Sequence, residues 1–91
     1  MQSTILGIIY IISNSSLACV REAAVSCYAF ASLKGERSSE VKEMYGKLRR
    51  AYELEECFLA LKEHQMRAQE GEDDILLLRK HILDQIHDLV E

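Results

Sequence analysis

The feature that most constrains the fold is a long stretch, residues 38–69, with no proline and a single glycine, Gly46. It is rich in Glu, Lys, Arg, Leu, Met and Ala, the residue types that cost least to place in a helix. Ser38 or Ser39 can cap its start, and acidic residues follow where the helix dipole favours negative charge. The stretch therefore predicts one long helix against which the rest of the chain must pack.

The apolar side chains of this predicted helix change face near Leu54. Before that point they share one face, at about 100° per residue, and beyond it Leu54, Phe58 and Leu61 define a stripe rotated by about a quarter turn. One interpretation is that the two halves pack on different neighbours, which makes this helix the centre of a bundle. The other is a gently bent helix with one wide face.

The N-terminal segment, residues 1–14, must be covered by something. Residues 1–20 carry no charged side chain, and the seven apolar side chains between Ile5 and Ile12 would cost on the order of 10 kcal/mol if left in water. A short buried helix is favoured, with strand pairing between chains as the alternative because isoleucine is β-branched. Membrane insertion is a further alternative, although the run is short for a span of about 20 residues.

Residues 17–34 predict a second helix, with Ser15 or Ser16 as its N-cap and Gly35 as a left-handed residue that closes it. Most of its side chains are small, and small side chains let helix axes approach closely. We therefore expect this helix to lie deep between its neighbours. The tightest contact would be lined by Val20, Ala24, Cys27 and Ala31.

Residues 73–90 predict the last helix, after a break at Gly71. Its apolar residues occupy an arc too broad for a two-stranded coiled-coil seam and suit packing against two other helices. Arg79 falls near the middle of that arc. Either its aliphatic stem packs while its guanidinium reaches solvent, or it forms a buried pair with a carboxylate, from Glu55 or from a partner chain.

The charge balance and the cysteines narrow the classes of partner. The formal net charge of −4 provides no general attraction for nucleic acid, and the small basic cluster at 47–50 is followed at once by glutamates. The three cysteines, Cys19, Cys27 and Cys57, have no CxxC spacing. We expect them to be reduced, buried, small apolar residues in a reducing compartment.

Motifs that would carry chemistry are missing from the sequence. His64, His81 and His87 fit no metal-binding spacing, and no glycine-rich phosphate loop is present. Cys57 and His64 would need an orienting group and an oxyanion donor, which no motif supplies. We therefore expect no enzyme activity and no catalytic, cofactor or metal site.

These patterns predict a single all-α domain, 1–91: a small helical bundle of three main helices, 17–34, 38–69 and 73–90, around the long central one. Its apolar surplus predicts a cytoplasmic, non-enzymatic protein–protein interaction module that homo-oligomerises or grips a partner's helix, as an adaptor, chaperone or inhibitor does. The alternative is a small membrane-associated protein anchored by residues 4–12. The candidate interface residues are Ile5, Leu6, Ile8, Ile9, Ile12, Leu54, Phe58, Leu61, Arg79, Ile82 and Ile86.

Overall fold

The computed structural model describes residues 4–68 and 73–90, and every regular element in them is a helix. The helices are α1 (Thr4–Ile12), α2 (Ala18–Lys34), α3 (Ser39–Ala68) and α4 (Asp73–Val90). The predicted all-α bundle with one long helix is therefore confirmed. Within the apolar N-terminal segment, residues 4–12 form a helix, and none of the described residues forms a strand. Residue 69, the predicted end of the long helix, lies outside the described residues.

Successive helices run antiparallel, as three hydrogen bonds between elements show. The backbone N–H of Leu6, near the start of α1, donates to the Glu36 carboxylate just after α2, at 3.1 Å. The N–H of Leu17, at the start of α2, donates to the Glu55 carboxylate in the middle of α3, at 3.2 Å. The first half of α4 lies beside the last part of α3, where Arg79 donates to the Gln65 side-chain oxygen at 3.1 Å.

The hydrophobic core lies at one end of the molecule, where α1 and α2 meet the first part of α3 and the last part of α4. Burying one of its larger aliphatic side chains contributes about 1.5–3 kcal/mol. All four residues predicted to line the tight contact of α2 belong to this core. Its members are Ile9, Ile12, Val20, Ala24, Cys27, Ala31, Val41, Leu48, Ala51 and Ile86.

The expectation that α2 lies deep between its neighbours is wrong. On the side opposite its buried stripe, Val25 is 60% exposed and Leu33 is 85% exposed. The reason is that α2 packs on one side only, against α3, α4 and the nine-residue α1. The small side chains of the buried stripe therefore let those helices approach α2 closely, while the opposite side of α2 stays exposed.

The N-terminus of α2 is capped from a distance and not by a neighbouring serine. Leu17 occupies the N-cap position and its side chain makes no capping hydrogen bond. The capping role falls to Glu55, a buried carboxylate that accepts the Leu17 N–H and lies at the positive end of the α2 dipole. The prediction of Ser15 or Ser16 as the cap is therefore wrong, because Leu17 occupies the N-cap position and no serine hydroxyl caps the helix.

Arg21 and Gly35 complete the two ends of α2. The Arg21 guanidinium donates to the carbonyl oxygens of Ser15 and Ser16, each at 3.0 Å, and so ties down the α1–α2 loop. Gly35 has φ 90° and donates its N–H to the Ala31 carbonyl at 2.9 Å. Gly35 therefore ends α2 with a positive φ as predicted, although its ψ of 149° differs from that of a left-handed helical residue.

The molecule is elongated because α3 is much longer than the helices that cover it. Its radius of gyration is 15.0 Å, compared with about 12 Å for a compact chain of this length. The 30 residues of α3 span about 45 Å, close to the 48 Å long dimension of the molecule. The 17 residues of α2 span only about 26 Å. The end of α3 and the start of α4 consequently extend beyond the core as a pair of antiparallel helices.

Candidate protein interaction surface

The part of the chain that extends beyond the core is called here the distal hairpin, residues 56–68 of α3 and 73–81 of α4. The side chains that pack around the core end at Leu54 on α3 and at Ile82 on α4. Within the distal hairpin, Ile75 is buried, at 8% exposure, whereas Phe58 and Leu61 are only half-buried. The two helices therefore cover each other incompletely.

The two parts of α3 have different surroundings. Met44 and Leu48 share a groove with residues from both α2 and the end of α4, whereas Phe58 and Gln65 meet Arg79 of α4. Thus α4 lies beside both parts of α3, and the N-cap of α2 contacts α3 at Glu55. The change of apolar face that the sequence shows near Leu54 coincides with the point where the shared core ends.

Four large apolar side chains on the distal hairpin are open to solvent. Leu76, Leu77 and Leu78 are 47%, 66% and 47% exposed, and Met66 is 69% exposed. Consecutive residues on a helix are about 100° apart, so the three leucines cover about 200° of the α4 circumference. Single exposed leucines are ordinary, but adjacent ones that form a patch are typical of an interaction site.

Arg79 lies beside this patch, one turn after Leu76, and its guanidinium is held in place. Its Cζ atom is 4.7 Å from the centre of the Phe58 ring, a cation–π geometry, and Nη1 donates to Gln65. Its Nε atom is buried and has no hydrogen-bond partner. Among the described residues, no ion pair joins Arg79 to a carboxylate.

Neither predicted form of Arg79 is fully observed. The predicted pair with Glu55 is wrong, because that carboxylate is engaged by the Leu17 N–H near the core. The other prediction, a packed stem with a guanidinium that reaches solvent, is met in part: Arg79 is half-buried, but its guanidinium stacks on Phe58 and its Nε is buried. Pairing with a carboxylate from a partner chain stays a prediction.

The predicted interface residues fall into three environments. Ile9, Ile12 and Ile86 have 0–1% exposure in the core, where the chain itself covers them. A second group is half-buried against that core: Ile5, Leu6, Ile8, Leu54 and Ile82. The third group, Phe58, Leu61 and Arg79, lies in the distal hairpin and is the group that the structure places next to exposed apolar surface.

Sequence reasoning missed the most exposed apolar side chains of the distal hairpin, those of Met66 and Leu76 to Leu78. One signal could have found the leucines. Ile75 and the three leucines after it together span most of the circumference of a helix, so a single packed face cannot cover them all. The sequence alone does not say which of the four faces inward, and the structure selects Ile75.

The cysteines occupy three different environments. Cys27 is buried and burial raises the pKa of its thiol, so the thiol stays neutral near pH 7. Cys19 is half-buried and lines a groove of about 480 Å³ between α2, α3 and the end of α4. Cys57 is exposed, so the expectation that all three are buried is wrong.

The described residues offer no arrangement suited to metal binding and no helix suited to crossing a membrane. No group of three or more His, Cys, Asp or Glu side chains between residues 4 and 68 or 73 and 90 could hold a metal ion. In the same ranges, no helix has both the length and the apolar character that a membrane span requires.

No protein-family model, curated protein or solved structure matches this chain. The function proposed below is therefore argued from the surface of the molecule itself.

Proposed function

We propose that this chain is a non-enzymatic protein–protein interaction module that binds an amphipathic helix of another protein against its distal hairpin. The observation that carries the proposal is the exposed apolar patch formed by Leu76, Leu77, Leu78 and Met66. Exposed apolar side chains are costly to leave in water, and several of them in one part of a fold are typical of sites that a partner covers.

The shape of the distal hairpin suits a helix as the partner. Nearer the core, α2 lies on α3 and α4 as a third helix, and its N-cap meets α3 at Glu55. Beyond that point, α3 and α4 continue as an antiparallel pair with half-buried Phe58 and Leu61 between them. A partner helix laid there would repeat the three-helix packing that α2 makes, and its apolar face would fill the groove as in other helix-in-groove complexes.

A helix from another protein fits this surface better than a second copy of the chain. In a symmetric pairing of two distal hairpins, each copy would bring its own Arg79 to the same interface. Arg79 has no carboxylate partner in the described residues, so two cations would be buried close together, at a cost in free energy. A partner helix does not impose this repulsion.

The packing of α1 disfavours the membrane-anchored alternative. Ile9 and Ile12 lie in the core with α2 and α3, so inserting residues 4–12 into a bilayer would remove two of the largest fully buried side chains from it. This loss of core packing favours the protein-binding function over the membrane anchor.

Selection from a displayed library of amphipathic helical peptides, followed by affinity measurement on the enriched peptides, tests the proposal. We expect helical peptides to bind the parent chain and Leu76→Ser to weaken their binding by roughly tenfold, about 1.4 kcal/mol. Leu33→Ser is the matched control, because Leu33 is 85% exposed but lies on α2, away from the distal hairpin. This control should leave the affinity unchanged.

Three results would contradict the proposed function. One is the absence of any helical peptide enriched above background. Another is equal weakening by Leu76→Ser and Leu33→Ser, since binding would then not depend on the distal hairpin. The third comes from light scattering: a dimer that Leu76→Ser converts to monomer would show that the patch is covered by a second copy.

A further inference from the structure

We propose that Arg79 is a carboxylate receptor within the docking surface, so that the partner helix carries an Asp or Glu inside its otherwise apolar face. This inference rests on the proposed function and deepens it by naming the chemistry that selects the partner. It starts from the one half-buried cation next to the exposed leucines of the described distal hairpin.

The position of Arg79 means that a partner which covers the patch also covers the guanidinium. Arg79 follows Leu76 by three residues on α4, so the two side chains are neighbours on the helix surface. Its guanidinium lies over Phe58 of α3, which places it between the two helices of the hairpin. A helix seated on Leu76 and Phe58 would therefore bury Arg79 further.

Burying this guanidinium without a counter-charge is unfavourable, and this is what selects the partner. Arginine stays protonated at all physiological pH values, so it cannot avoid the cost by losing its proton. Its contacts among the described residues are an aromatic ring and the neutral amide oxygen of Gln65, and there its Nε N–H has no acceptor. A carboxylate supplies both the missing charge and further hydrogen-bond acceptors, in the geometry that a guanidinium fork prefers.

The guanidinium is also preorganised for this role. Stacking on the Phe58 ring and the 3.1 Å hydrogen bond to Gln65 restrict its orientation before any partner arrives. Less side-chain entropy is then lost on binding, which strengthens the interaction with a correctly placed carboxylate. A partner helix that presents Lys, Arg or only apolar residues at this point is disfavoured, because the like charge or the unpaired cation opposes binding.

The test is a displayed library of amphipathic helical peptides in which one central position of the apolar face is fully randomised. We expect the parent chain to enrich Asp and Glu at that position. Arg79→Met, which keeps an unbranched apolar stem, should lose the preference, and Arg79→Lys should keep a weaker one. Lys80→Met is the control, because Lys80 is the adjacent exposed cation on α4 and should not matter.

A matched pair of peptides that differ only by Glu or Gln at the selected position gives the quantitative version. The Glu peptide should bind the parent chain at least tenfold more tightly than the Gln peptide, and Arg79→Met should bind the two about equally. Circular dichroism melting of each variant checks that the fold is intact.

The outcomes separate this inference from the function on which it rests. If the parent chain enriches helical peptides but shows no preference for Asp or Glu, the receptor role of Arg79 is refuted while helix binding stands. The same holds if Lys80→Met abolishes the preference as fully as Arg79→Met, since general positive charge would then explain it. If neither the parent chain nor any variant enriches a helical peptide, the proposed function is refuted, and the receptor role of Arg79 is refuted with it.

Discussion

Replacing Glu55 by alanine should destabilise the fold far more than the same change at Glu56, the next residue in the sequence. Glu55 is 3% exposed and its carboxylate accepts the Leu17 N–H at 3.2 Å. This bond links the middle of α3 to the start of α2 across 38 residues of sequence. Glu56 is exposed on the same helix, so the two substitutions have the same helix propensity and the same change in charge.

The expected loss of stability is worked from the Glu55 contact. Removing a helix cap costs about 0.5–2 kcal/mol, and a hydrogen bond to a charged acceptor contributes about 1.5–3 kcal/mol. The two figures describe the same contact and are not summed, so we expect a loss of about 2 kcal/mol for Glu55→Ala. Glu56→Ala should stay within about 0.5 kcal/mol of the parent. Glu55→Gln keeps an acceptor but removes the charge and should fall between them.

Urea unfolding followed by far-ultraviolet circular dichroism measures this difference. With a slope of about 1–2 kcal/mol per molar urea for a small chain, the midpoint of Glu55→Ala should fall by about 1–2 M relative to Glu56→Ala. Amide hydrogen exchange at Leu17 should speed up in the same variant, because its N–H loses its acceptor. Equal midpoints for the two alanine variants, or unchanged exchange at Leu17, would refute the view that α3 caps α2.

Two further predictions concern the thiols and the glycines. Cys57 should react rapidly with a disulfide reagent and buried Cys27 only as the chain unfolds; rapid labelling of Cys27 in the native chain would contradict its burial. Burial raises the pKa of the Cys27 thiol above its usual 9.0. The stability that Cys27 contributes is therefore fully present below pH 9.0 and is lost as the pH rises toward the higher pKa of the folded state. Cys27→Ala should flatten that part of the pH dependence of the unfolding free energy. Gly35→Ala should lower stability by about 1 kcal/mol because φ is 90° there. Gly46→Ala should raise it by about 0.5–1 kcal/mol, since a methyl group on this helical residue meets no atom within 4 Å; melting temperatures that shift in the opposite directions would contradict this assignment.

The helices of this protein follow from its sequence because their signals are local. The absence of proline, the long run of helix-favouring residues in 38–69 and the glycine at 35 predict where helices begin and end. Helical periodicity likewise predicts the buried stripe of α2, since Val20 and Ala24 repeat on one face. Both kinds of signal act over a few residues, so no knowledge of distant contacts is needed.

The candidate site was only partly predictable because it depends on which surfaces meet. The sequence shows that Ile9, Ile12 and Ile86 need cover, but apolar character is the same whether the cover comes from the chain itself or from a partner. The structure places all three in the core. It also leaves Leu77 and its neighbours on α4 exposed, which the periodicity of that helix does not single out.

Residue identity by itself determined that this chain forms helices, how long they are and which stripe of α2 packs inward, because propensity and periodicity are properties of short segments. Only the tertiary structure decided that Glu55 caps α2, that Arg79 lies over Phe58 and that three leucines of α4 are exposed. These features depend on the relative lengths and register of helices far apart in sequence. Because α3 and α4 extend past α2, the surface at their end is left without a neighbour.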